Sequence, residues 1–157
     1  VNLKAMATNL LLLLAAVIAA SAVEVVELDS NSYPETVGET EHAWLIEFGS
    51  RKCETCKLFE PEWEKVTELV DGVRFGHVVI DSPGGKMLAR ELGAMKPGIP
   101  NVSILPTWGE PLVPVVNGYA PATEVAAKVA VALDRLGLVR GADGLYRRSD
   151  ARKKDEL

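Results

Sequence analysis

One stretch limits the fold more than any other. Trp44-Leu-Ile-Glu-Phe-Gly49 is an apolar β-like run broken by a single acid, and it leads through Ser50-Arg-Lys52 into Cys53-Glu-Thr-Cys56 and a helical repeat. Cys53 therefore falls at a helix N-terminus, where unpaired backbone N–H groups and the helix dipole favour a thiolate and lower a thiol's pKa. A dithiol so placed suits exchange chemistry. The same C-x-x-C spacing also fits a structural disulfide, half of a zinc site, or two small buried apolar side chains. The chain has two Cys and two His, and His42 and His77 stand outside ligand-like spacing, so no metal is expected.

A chain of 157 residues suits one domain with one solid core. Net charge is -5 and no basic patch is interleaved with aromatics, which argues against nucleic acid as a partner. Gly84-Gly85 lacks both the Lys-Ser/Thr of a phosphate loop and the G-x-G-x-x-G spacing, so it reads as a plain loop and no cofactor is expected.

Both ends carry address-like sequence. Residues 10–20 are an unbroken apolar run after Met6, the candidate initiator, and Ala20-Ser-Ala22 is a small-residue cleavage site. The run is short for a bilayer span and no second one follows, so residues 1–22 read as a signal peptide with no membrane association after cleavage. Lys154-Asp155-Glu156-Leu157 matches the endoplasmic reticulum retention signal, which implies a receptor for that tetrapeptide as a partner. Together they predict the endoplasmic reticulum lumen, where disulfides form and reshuffle.

Strand patterns fall at 23–28, 44–49, 73–80, 101–105 and 112–116. Helical patterns fall at 33–37, from the first cysteine to 70 with Pro61 inside, at 82–92, and at 123–136 with Thr123 as cap. The order βαβαβαββα gives an α/β class with a central mixed sheet flanked by helices. Residues 23–137 form the predicted domain, and 138–157, rich in Arg and Lys and poor in apolar residues, read as a polar tail presenting the last four residues. Asn101-Val-Ser103 is a glycosylation sequon on a strand beside the presumed site and is expected to be unused.

The domain resembles the a-type domain of protein disulfide-isomerases in the thioredoxin superfamily. The similarity rests on residues 26–33 as opening strand and turn, Leu45-Ile-Glu-Phe48, Cys53-Glu-Thr-Cys56-Lys57, Pro61-Glu-Trp-Glu-Lys65, and Gly98-Ile99-Pro100 as the cis-proline loop. It implies a thioredoxin-like fold and a thiol-disulfide oxidoreductase. On that resemblance Cys53 attacks, Cys56 resolves, and a buried Glu47 accepts the Cys56 proton, burial raising its pKa as a general base requires. The Ile99 backbone beside Pro100 would pair with an extended client. Clients would be unfolded or misoxidised secretory proteins, and glutathione or another lumenal oxidoreductase would recycle the dithiol.

The sequence also departs from that family. Lys52 stands where it usually has Trp, and Glu54-Thr55 stand for Gly-His between the cysteines, so these three residues are expected to tune the couple. Glu54 opposes a thiolate by like charge and predicts a less oxidising pair, while Arg51 and Lys52 act the other way. Val79 and Tyr119 occupy the positions nearest a helper lysine and arginine. The alternative reading is therefore a client-binding or adaptor protein of the same fold with little isomerase activity.

Overall fold

The computed structural model describes residues 23–38 and 40–149. The predicted signal peptide and the terminal tetrapeptide lie outside the described residues. The elements are β1 (Val25–Glu27), α1 (Ser32–Gly38), β2 (Trp44–Gly49), α2 (Glu54–Leu69), β3 (Arg74–Val79), α3 (Pro83–Glu91), β4 (Asn101–Leu105), β5 (Val113–Asn117), α4 (Ala122–Arg135), β6 (Leu138–Arg140) and β7 (Tyr146–Arg148). Up to α4 they follow the order read from the sequence.

Five strands form one sheet in the order β1-β3-β2-β4-β5. β1 and β2 run parallel to β3, β4 is antiparallel to β2, and β5 is antiparallel to β4. The expected mixed sheet flanked by helices is what forms. β2 lies at its centre, and every one of its residues is buried, as its apolar composition requires. Side chains alternate across it. Trp44, Ile46 and Phe48 join Leu28, Val37, Val78 and Leu88 in one core layer, against α1 and α3. Leu45 faces the other way, into a layer with Phe59, Val66, Phe75, Val125 and Val129, against α2 and α4. By that alternation Glu47 and Gly49 point toward α2, the helix that carries the cysteines.

Helix starts show how local chemistry and long-range contacts divide the work. Ser82 caps α3 by accepting the Gly85 N–H at 3.0 Å, with Pro83 in the first turn. Gly85 is required for close approach: a Cβ there would stand 2.1 Å from the Val79 carbonyl oxygen. α4 begins at Ala122, two residues earlier than a Thr123 cap would place it, and has no side-chain cap of its own. Glu62 on α2 accepts the Ala122 N–H at 2.7 Å instead, so a neighbouring helix supplies the cap.

The segment expected to be a polar tail from residue 138 differs most. Residues 138–148 form the antiparallel pair β6 and β7. Leu138 is 6 % exposed in the α2/α4 core layer, and Tyr146 packs against that layer. Tyr146 donates its N–H to the Gly72 carbonyl at 2.7 Å and accepts the Ala43 N–H at 2.8 Å. The arginines that made the segment look solvated have acidic partners: Arg140 with Asp71, Arg147 with Asp143, and Arg148 with Glu110. Asp71 and Glu110 come from elsewhere in the fold and Asp143 from the ribbon itself, so the ribbon docks instead of trailing into solvent.

Candidate dithiol site

Cys53 is the N-cap of α2, and its Sγ accepts the Cys56 N–H at 3.1 Å. The two cysteines are joined as a disulfide with Cα atoms 5.2 Å apart. Cys53 is half-buried, whereas Cys56, one turn into the helix, is 8 % exposed. Cys53 is thus the more exposed residue of the pair and Cys56 the more buried.

The loop leading into the pair is tied down by a residue the sequence did not single out. Asp81, just past the end of β3, accepts from the Ser50 hydroxyl at 2.9 Å and from the Arg51 N–H at 2.6 Å. Ser50 Oγ also accepts the Lys52 N–H at 3.1 Å, and the Cys53 N–H reaches the Ser50 carbonyl at 3.2 Å. The Arg51 N–H is the main reason the Asp81 carboxyl stays below the usual carboxylate range. No sequence signal marks Asp81, because its partners are about thirty residues away and are reached only when β2 and β3 pair.

Glu47 is buried in the layer beneath α2, with Gly49 leaving room for its carboxyl group: Glu47 Oε1 would lie 2.6 Å from a Cβ on Gly49. Burial, with the Glu60 carboxylate adding to it, pushes the Glu47 carboxyl up to about 8. Glu47, Cys56, Glu60, Trp63 and His77 share the lining of one cavity of about 240 Å³. The indole Nε1 of Trp63 is buried there without a hydrogen-bond partner among the described residues. A larger groove of about 450 Å³, between β5 and α4, contains neither cysteine.

The other residues singled out in the sequence are distributed around this centre. Lys52, Glu54 and Thr55 are exposed, and Glu54 is paired with Lys57 at 2.6 Å, so its charge faces a cation on its own helix. The Ile99–Pro100 peptide is cis. These two residues stand just before β4 and do not line the Glu47 cavity. Pro100 gives its carbonyl to the Gly118 N–H at 2.8 Å, while Ile99 makes no backbone hydrogen bond to any described residue. Asn101 is 1 % exposed and donates its amide to the Ala94 and Gly98 carbonyls at 2.9 and 2.7 Å, so the sequon asparagine is engaged inside the fold. Among the described residues there is no cluster of His, Cys, Asp and Glu fit for a metal, and no helix long and apolar enough to cross a membrane.

A mixed sheet of this order, with a dithiol capping the helix that follows its central strand, defines a thioredoxin fold. The chain belongs to the thioredoxin family, whose model matches residues 24–130. It is 40 % identical over 58 residues to protein disulfide-isomerase like 2-2 of Arabidopsis thaliana, covering 36 % of this chain and 13 % of that protein. It is 29 % identical over 92 residues to human protein disulfide-isomerase A6, covering 57 % of this chain and 20 % of that one. The chain thus spans a fifth or less of the length of these relatives. Among solved structures, the first thioredoxin domain of mouse protein disulfide-isomerase A4 superposes with a TM-score of 0.53 at 28 % identity, over 67 % of this chain and 72 % of that one. The J-Trx1 fragment of ERdj5 does so at 0.58 and 24 % identity, over 71 % and 50 %, and shares the fold.

Proposed function

We propose that this protein is a thiol-disulfide oxidoreductase of the disulfide-isomerase type, acting on unfolded or misoxidised secretory proteins in the endoplasmic reticulum lumen. The observation that carries this reading is the Cys53–Cys56 disulfide at the N-terminus of α2, Cys53 the more exposed of the two, with Glu47 and Cys56 lining one cavity. The disulfide-isomerase relatives support the activity, and the terminal tetrapeptide and N-terminal apolar run support the compartment.

In the oxidising direction a client thiolate attacks Cys53 Sγ, the Cys53–Cys56 bond breaks, and Cys56 leaves as a thiolate that takes up a proton. A second client thiolate then attacks the client sulfur of the mixed disulfide and expels Cys53. The client loses two electrons and the dithiol gains them. In the reducing direction Cys53 attacks a client disulfide, and Cys56, having given its proton to Glu47, resolves the intermediate. Isomerisation combines the two. The Ile99 backbone, without a partner among the described residues, is available to an extended client strand. Glutathione or a second oxidoreductase resets the dithiol, and the retention receptor returns the protein to the lumen.

Cys56→Ala tests this directly. Clients are expected to accumulate as disulfides to Cys53, and the unaltered protein is expected to speed refolding of a scrambled disulfide protein. If neither occurs, the enzyme reading falls and the adaptor reading stands, which Val79 and the exposed Tyr119 at the helper positions favour.

A further inference from the structure

The Glu47 carboxyl is buried, yet a group that takes a proton from Cys56 must also return it to water. The side chain that reaches between them is His77. Parallel pairing of β2 with β3 sets Glu47 opposite His77, and pairing of β1 with β3 sets Glu27 opposite the same histidine. Residues in register share a face, so Glu27, His77 and Glu47 form a row across three strands on the side that faces α2. His77 Nε2 lies 3.0 Å from Glu47 Oε2. The Glu47 side chain is 7 % exposed and that of His77 is 38 % exposed, so the imidazole spans the distance from the buried carboxyl to solvent. Both line the cavity that holds Cys56.

We propose that His77 is the proton outlet of Glu47, acting as a relay partner that connects Cys56 to solvent; this rests on the oxidoreductase reading above. In the forward step the Glu47 proton first crosses to His77 Nε2 and His77 releases a proton from Nδ1 to water. The Cys56 S–H bond then breaks, and its proton goes to the freed Glu47 carboxylate. No electron moves in these steps, and the net change is a Cys56 thiolate and a hydrated proton. When Cys56 leaves as a thiolate, the same steps run in reverse.

The surroundings of the pair set its resting state. Glu27 from β1 and Glu60 from α2 draw a proton toward His77, whereas burial and Arg51, in the loop before α2, oppose it; burial is the largest of these, and the imidazole titrates below its usual 6.5. The carboxyl moves the other way, up to about 8. At neutral pH the proton therefore rests on Glu47 beside a neutral imidazole, ready for a leaving Cys56 thiolate, and the carboxyl becomes a base when His77 removes that proton.

The test uses the full chain, reduced and mixed with oxidised glutathione, with stopped-flow resolution of two phases: attack by Cys53 to form the mixed disulfide, and its resolution by Cys56. His77→Gln keeps a polar side chain of similar reach and removes the titration. The expected result is resolution slowed about tenfold near pH 7, with the deficit shrinking toward pH 9 as hydroxide takes over, and attack by Cys53 unchanged within about twofold. His77→Ala with added imidazole is expected to recover part of the lost resolution rate. An unchanged pH profile of resolution in His77→Gln overturns the relay, as does a loss equal at all pH values that slows both phases. If the unaltered protein shows neither phase, the oxidoreductase reading itself has failed, a result distinct from the other two.

Discussion

Glu47 occupies the space that a side chain at Gly49 would need: its Oε1 would lie 2.6 Å from a Cβ placed there. The two residues alternate onto the same face of β2, so the absence of a Cβ at the second seats the carboxyl of the first. Gly49→Ala is therefore expected to displace the carboxyl while leaving the fold nearly intact, because the atom met is the end of a flexible side chain. The expected stability change is within about 1 kcal/mol in urea unfolding. The Cys56 resolution step is expected to slow to about the rate of Glu47→Gln; normal resolution would show that Glu47 can act from another position.

Stability should report the raised Glu47 pKa. The folded carboxyl titrates at about 8 against an ordinary 4.5. In that interval the folded state holds a proton that the unfolded state has released, so this contribution is full below about 4.5 and is lost as pH rises through about 8. Glu47→Gln cannot ionise, and is expected to come close to the unaltered protein near pH 5 and exceed it near pH 9 by about 4 kcal/mol. His77, with its lowered pKa, contributes stability that is lost as pH falls, so the comparison is cleanest above neutrality. Equal stabilities at both pH values would mean that the carboxyl is not desolvated.

Asp81 holds the entry to the dithiol through the Ser50 hydroxyl and the Arg51 N–H. Asp81→Ala is expected to lower the urea midpoint at pH 7 and to speed amide hydrogen exchange at Arg51. Because the Asp81 carboxyl titrates below 3.8, its contribution is present above that value and lost as pH falls, so the difference from the unaltered protein should close in acid. Unchanged exchange at Arg51 would show that the loop is held by other contacts.

Ending the chain at Gly137 removes β6 and β7. Leu138 leaves the core, Ala43 loses the acceptor of its N–H, and the Gly72 carbonyl loses its donor. The expected cost is about 3 kcal/mol, summing the burial of one leucine with the lost hydrogen bonds. A truncated domain with an unshifted urea midpoint would return the segment to the status of a tail.

The parts of the site that were legible lie close together along the chain. Cys53 and Cys56 are spaced by less than a helical turn, and a helix start there follows from apolar periodicity on either side. The acid in β2 stood out because its neighbours Ile46 and Phe48 are apolar. His77 has no ligand-like spacing to another residue, and its pairing with Glu47 appears only once β2 and β3 are in register. The Glu62 cap on α4 was hidden in the same way, since sixty residues separate it from Ala122.

By itself the sequence determined the order of strands and helices as far as α4, the α/β class and the dithiol at a helix start, because each depends on neighbours within a turn or a strand. Only the tertiary structure decided which groups surround that dithiol. Pairing of β1, β2 and β3 set Glu27, His77 and Glu47 in one row, and the end of β3 delivered Asp81 to the loop of Ser50 and Arg51. The same holds for residues 138–148, whose arginines suggest solvent until Asp71 and Glu110 are brought beside them. A side chain's charge is written in the chain, but its partners are set by packing between segments far apart in it.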